Sequence, residues 1–215
     1  IGQLKDTGVD ALIVSDIGVM LMAREVAPNL ELHVSTQAGV TNYQAANAFY
    51  QLGARRVVLA REMDLQAVRD IRARIPDDLD IECFVHGAMC MALFSNYLTG
   101  RDGNHGECAQ PCRWKYSIVE EKRPGQYFPI EQTKEGAYLF NSQDMNMLAH
   151  IDDLLDSGAT SLKIEGRSKS AYYIAAMTNA YKTAVDAYMV QRGFEDEDGT
   201  VLKPFHDRVI RPSDP

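Results

Sequence analysis

The chain has 215 residues, of which 46% are hydrophobic and 24% are charged, and its formal net charge is −8. This length and composition suit a globular core and exclude fibrous and disordered proteins. The apolar runs are far shorter than the roughly 20 residues that cross a bilayer, and the acidic balance argues against indiscriminate binding of nucleic acid. We therefore expect a globular cytoplasmic protein.

Short β-rich apolar runs alternate with helical patterns in the first part of the chain. Strands are predicted over residues 10–14, 31–35, 56–60 and 80–85. Apolar residues at helical intervals predict helices over 17–27, 42–52 and 64–74. Asn42 and Asp64 are placed as N-caps, and Gly53 is placed to end the second helix. Strand–helix repetition of this kind builds a parallel sheet.

The repeat breaks after Gly87, and the chain is then rich in Gly, Cys, Pro and charged residues up to about residue 141. Antiparallel strands are predicted over 113–122 and 138–141 within this segment, and a helix over 144–156, a strand over 161–165 and a long helix over 170–191 follow it.

These elements predict an α/β fold of the TIM-type (β/α) barrel class. Eight strands close such a barrel and five are counted here, so either three lie upstream of Ile1 or the sheet is open. We expect an incomplete barrel over residues 1–192, a Cys-rich, β-containing insertion at about 88–140, and a tail or further segment over 193–215.

Polar residues follow the predicted strands, at the ends where a barrel carries its active site. The candidate catalytic residues are Gln37, Arg61, Glu62, Lys163, Glu165 and Arg167. By the period of two, Lys163 and Glu165 lie on one side of their strand, placed to pair with each other in the barrel mouth or as a structural ion pair. Helix caps and turns are the alternative explanation for part of this set.

Three of the four cysteines lie in the Gly-containing segment: Cys90, Cys108 and Cys112. Thiolates grouped in this way predict an iron–sulfur cluster or a zinc site, and free packing thiols are the remaining alternative. Cys83 lies inside a strand, where a packing role is expected. Two histidines are candidates to contact a bound cofactor, since His86 ends a strand and His105 lies close to Cys108. A structural hydrogen-bonding role is the alternative for His86.

The segment Glu82-Cys-Phe-Val-His-Gly-Ala-Met-Cys90 resembles the signature of the peptidase U32 family. That signature has an acidic residue, a phenylalanine two residues later, and then Gly-Ala-aliphatic-Cys. Segments 33–37, 56–62, 95–102, 108–116, 140–144 and 163–167 resemble the same family. Together the matching segments cover most of the chain up to about Tyr188.

This resemblance implies a barrel fold and one of two kinds of activity. Members are called collagenase-like proteases, and others are RNA or ubiquinone hydroxylation proteins with a four-cysteine iron–sulfur cluster. The stretch 112–116 is similar to the tRNA uridine hydroxylation branch. Carried over, the resemblance makes Cys90, Cys108 and Cys112 ligands of a cluster, most simply 4Fe–4S.

The family pattern continues through Ser-Gly-Arg to a second cysteine, which has no counterpart here before Ser95. Either these residues are deleted, which leaves the cluster incomplete unless Cys83 or another group replaces the ligand, or a flexible loop that carries the ligand is missing from the sequence between Ala92 and Leu93.

The sequence thus predicts a U32-family enzyme that hydroxylates a tRNA uridine with an iron–sulfur cluster. A protease is the alternative, although the chain holds neither Gly-x-Ser-x-Gly nor His-Glu-x-x-His. A non-catalytic scaffold subunit is the third interpretation. A local basic patch is expected to contact tRNA or other RNA: Arg113, Lys115, Lys122 and Arg123. A protein partner of the same family is also expected.

Overall fold

The structure, a computed structural model, describes residues 1–88, 117–119, 122, 124–125, 127–129, 144–167 and 169–203. The chain divides into two compact units, of which the first joins Ile1–His86 to Asn146–Pro215 and the second is Gly87–Met145. All residues of the candidate site described below belong to the first unit. None of the helices in the described residues combines the length and the apolar character needed to cross a lipid bilayer.

The elements follow one another largely as the sequence predicts. The described strands are β1 (Ala11–Val14), β2 (Glu31–Val34), β3 (Ala54–Val58), β4 (Asp80–Ala88), β5 (Ser117–Ile118), β6 (Phe128–Pro129), β7 (Asp144–Asn146) and β8 (Ser161–Ile164). The described α-helices are α1 (Ile17–Val26), α2 (Tyr43–Gln51), α3 (Leu65–Arg72), α4 (Ile151–Asp156) and α5 (Ala171–Gln191). Short 3₁₀ helices cover Gly2–Asp6, Thr36–Ala38 and Leu148–His150.

Five parallel strands form the main sheet. Strands β1 to β4 lie side by side in chain order, and β8 pairs in parallel with β4. The predicted set of five parallel strands is therefore confirmed. The strand β7 also lies next to β4. Among the described strands the sheet is open, so the fold is a mixed α/β fold and the predicted TIM-type barrel is not confirmed.

The two faces of β4 have different surroundings. Ile81, Cys83 and Val85 point into the apolar core and are at most 7% exposed. Their partners in that core include Met20 of α1 and Val68 of α3. The helices α1 and α3 thus pack on the core face of β4. Because side chains alternate along a strand, Glu82 and Phe84 share the opposite face of β4. Between Phe84 and His86 the register with β8 shifts.

The predicted helix boundaries are set by the residues that the sequence singled out. Asn42 caps α2 by accepting a hydrogen bond of 2.9 Å from the Ala45 N–H, and Asp64 caps α3 in the same way. Gly53 follows α2 with φ of 97°, a left-handed conformation that favours glycine. A Cβ at this position would also displace the flexible side chain of Arg24, so the left-handed conformation is the main reason for glycine in the turn that leads into β3.

The predicted helix over 144–156 was wrong in its first half. Residues Asp144–Asn146 form β7, and the α-helix begins only at Ile151. Met147 N–H donates to Val85 O at 3.0 Å and to the Tyr181 hydroxyl at 3.0 Å. These tertiary bonds use a backbone donor that a continuous helix would need for itself.

The second unit contains a short antiparallel pair. Strand β5 pairs with β6, with Ser117 opposite Pro129. Strand β5 lies within the predicted strand 113–122, whereas β6 was not predicted. The other predicted strand, 138–141, lies outside the described residues.

Candidate functional site

Two of the predicted site residues meet where β3 and β8 end. Arg61 follows β3, Glu165 follows β8, and Arg61 Nη2 lies 3.7 Å from Glu165 Oε2. Only 6% of the Arg61 side chain and 17% of the Glu165 side chain are exposed. The parallel topology explains this meeting, since the carboxyl ends of all its strands lie along one edge of the sheet.

The ring of a phenylalanine on β4 lies close to two cationic groups. The guanidinium carbon of Arg61 lies 3.7 Å from the centroid of the Phe84 ring, and Lys163 Nζ lies 5.6 Å from it. Both distances fall in the range in which a cation is attracted to an aromatic face. Phe84 was not among the predicted site residues, although its period-two relationship to His86 on β4 was a signal for it.

A buried carboxylate anchors the lysine. Glu82 is 7% exposed and accepts hydrogen bonds from Lys163 Nζ at 2.6 Å, Ser161 Oγ at 3.0 Å and Arg56 Nη1 at 3.3 Å. Burial raises the pKa of Glu82, but hydrogen bonds and charge from Lys163, Ser161 and Arg56 outweigh it, so this pKa lies below its usual 4.5. Glu82 is therefore ionised at neutral pH.

We refer to five of these residues as the strand-end cluster: Arg61, Glu82, Phe84, Lys163 and Glu165. The predicted pairing of Lys163 with Glu165 was wrong, because each has a different ionic partner. Lys163 lies opposite Phe84 on β4. Its ammonium group reaches Glu82, which is two residues before Phe84 on the same side of β4. Glu165 lies beyond the end of β8, where Arg61 reaches it.

The carboxylate of Glu165 is held by the chain that follows it. Its Oε1 accepts the Arg167 backbone N–H at 2.8 Å, while the Arg167 side chain is exposed. Gln37 and Glu62 are also exposed, and their place in the site stays a prediction. At the ends of β1 and β2, Asp16 and Ser35 cap the following helical turns, as the alternative explanation of the polar strand ends proposed.

His86 lies near the end of β4, after the shift in register with β8 that follows Phe84. It is 8% exposed, and its Nδ1 lies 3.2 Å from the hydroxyl oxygen of Tyr181 on α5. The carbonyl of His86 accepts the Glu165 N–H at 2.8 Å, which joins this residue to the strand-end cluster through the backbone. Tyr181 was missed by the sequence analysis, since no local pattern in a long helix shows which tyrosine reaches the sheet.

The family is decided by the comparison with known proteins. The sequence model of Peptidase family U32 matches residues 1–212. The chain belongs to peptidase family U32. The resemblance seen in the sequence is thereby confirmed.

Three relatives of this U32 chain carry different names. It is 35% identical to "tRNA hydroxylation protein P" of Escherichia coli, over 88% of this chain and 51% of that protein. It is 36% identical to "23S rRNA 5-hydroxycytidine C2501 synthase" of the same organism, over 90% of this chain and 28% of that protein. It is 35% identical to "Collagenase" of Porphyromonas gingivalis, over 84% of this chain and 45% of that protein. The U32 chain spans about half the length of the tRNA hydroxylation proteins that it matches.

The predicted metal ligands of this U32 chain lie outside the described residues. This applies to Cys90, Cys108, Cys112 and His105, and to Arg113, Lys115 and Arg123 of the basic patch. Lys122 is described and exposed. Within the described part of the chain, no three His, Cys, Asp or Glu side chains are grouped to hold a metal ion.

The one described cysteine is a packing residue, as expected. Cys83 is buried in the apolar core, and burial, followed by the charge of Glu82, raises the pKa of its thiol to about 12. A thiol in this environment is protonated at neutral pH and is a poor nucleophile.

Proposed function

We propose that this U32 chain forms the catalytic part of an enzyme that hydroxylates a pyrimidine base in RNA, with a tRNA uridine as its substrate. The strand-end cluster is the observation that carries the proposal, because it sets fixed positive charges at the edge of the sheet where parallel α/β proteins bind ligands. The names of the tRNA and rRNA hydroxylation relatives support RNA as the substrate class.

The cluster supplies charge rather than a nucleophile. Lys163, whose side chain is 31% exposed, is the more accessible cation, and Glu82 and the Phe84 ring fix its position. A preorganised ammonium group of this kind stabilises negative charge that develops on a carbonyl oxygen, such as the oxygens of a pyrimidine ring. Arg61 and Glu165 form a second, less exposed pair of charges at the same edge of the sheet.

Hydroxylation also needs redox chemistry. Replacing C–H by C–OH is a two-electron oxidation, so a co-substrate has to supply the oxygen atom and an electron acceptor has to take up the electrons. The side chains of Arg, Lys, Glu and Phe do not exchange electrons under ordinary conditions. We propose that Cys90, Cys108 and Cys112 hold an iron–sulfur cluster, which would supply electron transfer when bound. Zinc, the alternative for these thiols, has no redox chemistry and fits this reaction less well.

RNA contact is proposed for the basic patch Arg113, Lys115, Lys122 and Arg123. With a net charge of −8, only a local positive surface attracts a polyanion to this chain. A tRNA substrate also favours the cytoplasm as its location.

Peptide hydrolysis is the second candidate function, favoured by the relative named collagenase. Cys83 does not supply its nucleophile, because its thiol is buried and protonated.

One experiment compares the two functions directly. The protein, purified without oxygen, is incubated with unmodified tRNA and the low-molecular-weight fraction of a cell extract, which supplies the oxygen donor and the electron acceptor, and separately with gelatin. Nucleosides are then analysed by mass spectrometry, and released peptides are measured by amine labelling. We expect a uridine that has gained one oxygen atom and no release of peptides. Peptide release without a modified nucleoside would replace the proposed function by proteolysis.

A further inference from the structure

The hydroxyl group of Tyr181 has one proton and four polar neighbours within 3.3 Å, and the Leu148 N–H also interacts with it. Its oxygen lies 2.7 Å from Val85 O, 3.3 Å from Asn146 Oδ1, 3.0 Å from Met147 N and 3.2 Å from His86 Nδ1. A phenol donates one hydrogen bond and accepts others through its lone pairs. The identity of these neighbours therefore decides where the proton lies.

Two of the four neighbours can only accept. Val85 O is a carbonyl oxygen, and the amide orientation of Asn146 is fixed because its Oδ1 accepts the Leu148 N–H at 3.1 Å. Met147 N, in contrast, can only donate. The Tyr181 proton is therefore directed to Val85 O, which is also the nearest neighbour, with Asn146 Oδ1 beside it.

This assignment determines the role of His86. The Tyr181 hydroxyl group donates its proton to Val85 O. The lone pairs of the hydroxyl oxygen therefore point towards Met147 N–H and His86 Nδ1. A lone pair on Nδ1 would then face a lone pair on oxygen, which is repulsive. His86 must carry a proton on Nδ1, and in the neutral ring Nε2 is left without one.

We propose that Tyr181 is a positioning residue that holds His86 as the Nδ1–H tautomer, so that Nε2 accepts a hydrogen bond from an N–H or O–H group of the bound nucleobase. The tautomer follows from the geometry around Tyr181, whereas the use of Nε2 rests on the proposed function. Two aromatic contacts also orient the His86 ring. Its centroid lies 5.6 Å from the centroid of the Tyr181 ring and 5.7 Å from that of the Tyr173 ring. The opposite tautomer would present a donor in place of the acceptor.

The tautomer can be measured without any assay of activity. In the ¹⁵N-labelled chain, long-range ¹H–¹⁵N spectra separate protonated from unprotonated imidazole nitrogens, and His86→Gln identifies the signals of His86. We expect a protonated Nδ1 and an unprotonated Nε2 while the ring is neutral. In Tyr181→Phe, which keeps the ring and removes the hydroxyl group, we expect the two tautomers to mix.

The control variant is Tyr172→Phe, which makes the same change on the same helix at a residue that is 83% exposed. It should leave the His86 spectrum unchanged. A protonated Nε2 in the unmodified chain would overturn the proposal, and this measurement decides even if Tyr181→Phe does not fold. A folded Tyr181→Phe variant with an unchanged tautomer would overturn it equally.

The use of Nε2 is tested by RNA modification. Tyr181→Phe should lower kcat about tenfold or more, because loss of tautomer control has cost a catalytic triad about 10⁴-fold. Tyr172→Phe should retain the activity. Unchanged kcat in a Tyr181→Phe variant whose tautomer has changed would refute the role of Nε2. If the unmodified protein acts on no RNA, the proposed function fails, whereas the spectra still decide the tautomer.

Discussion

Lys163 on β8 donates a hydrogen bond of 2.6 Å to Glu82 on the neighbouring β4. Only 9% of the Glu82 side chain is exposed, so its charge depends on nearby cations rather than on water. Arg56 and Ser161 supply further hydrogen bonds to the same carboxylate. This arrangement links the fold of the sheet to the charge of the candidate site, and it can be tested by substitution and by pH.

Removing the lysine charge should destabilise the fold. In Lys163→Met, Glu82 stays buried but loses its shortest hydrogen bond, and we expect the free energy of unfolding in urea to fall by about 1–3 kcal/mol. Lys182→Met is the matched control, since Lys182 pairs with Asp186 on the exposed side of α5. Its effect should stay within about 0.5 kcal/mol. Equal effects of the two substitutions would contradict the buried pairing.

Glu82 should also make the fold sensitive to acid. Its pKa in the folded chain lies below the usual 4.5, so its contribution to stability is present above pH 4.5 and is lost as the pH falls through the folded pKa. Glu82→Gln removes this titration, and we expect the free energy of unfolding to fall less steeply below pH 4.5 than in the unmodified chain. Glu25→Gln, at an exposed position of α1, should keep the original slope. The idea fails if Glu82→Gln and the unmodified chain show the same slope.

Cys83 should react slowly while the chain is folded. With a pKa of about 12, roughly one thiol in ten thousand is ionised at pH 8, and burial restricts access further. Alkylation by iodoacetamide, followed by mass spectrometry of the Cys83 peptide, should be far slower in the native chain than in urea. Similar rates in the two conditions would show that Cys83 is neither buried nor protonated.

The proposed cluster distinguishes Cys83 from the other three cysteines. Cys108→Ser should lose most of the iron and sulfide that are bound after anaerobic purification, whereas Cys83→Val should keep them, since Cys83 packs in the apolar core. Iron loss in Cys83→Val with a retained fold would instead make Cys83 the missing ligand. If all variants bind the same amount of iron and sulfide, the proposed cluster at Cys90, Cys108 and Cys112 is wrong.

Local patterns in the sequence predicted much of the fold. The caps Asn42 and Asp64 and the turn at Gly53 act between neighbouring residues, and the structure confirms them. The parallel order of the strands also followed from their regular alternation with helices. The segment before α4 could not be predicted in this way, because Met147 gives its backbone proton to Val85 and Tyr181, which lie far away along the chain.

The candidate site was predicted only in part, for a similar reason. The sequence placed Arg61, Lys163 and Glu165 at strand ends, but it assigned the wrong ionic partners. The choice of partner depends on β4 lying beside β8, which joins residues 79 positions apart, such as Glu82 and Ser161. The spacing of residues along the chain does not show which residues of β4 and β8 lie opposite each other.

The most direct test of the account measures the oxygen content of tRNA uridines after reaction with three forms of the protein. The unmodified protein and Glu25→Gln should both yield a uridine with one added oxygen atom, detected by mass spectrometry of the nucleosides. Glu165→Gln, which keeps the size and one acceptor oxygen but removes the charge beside Arg61, should fold and yield about tenfold less product or lower. No oxygenated nucleoside with any form, or full activity in Glu165→Gln, would contradict the proposal that the strand-end cluster is the active site of an RNA hydroxylase.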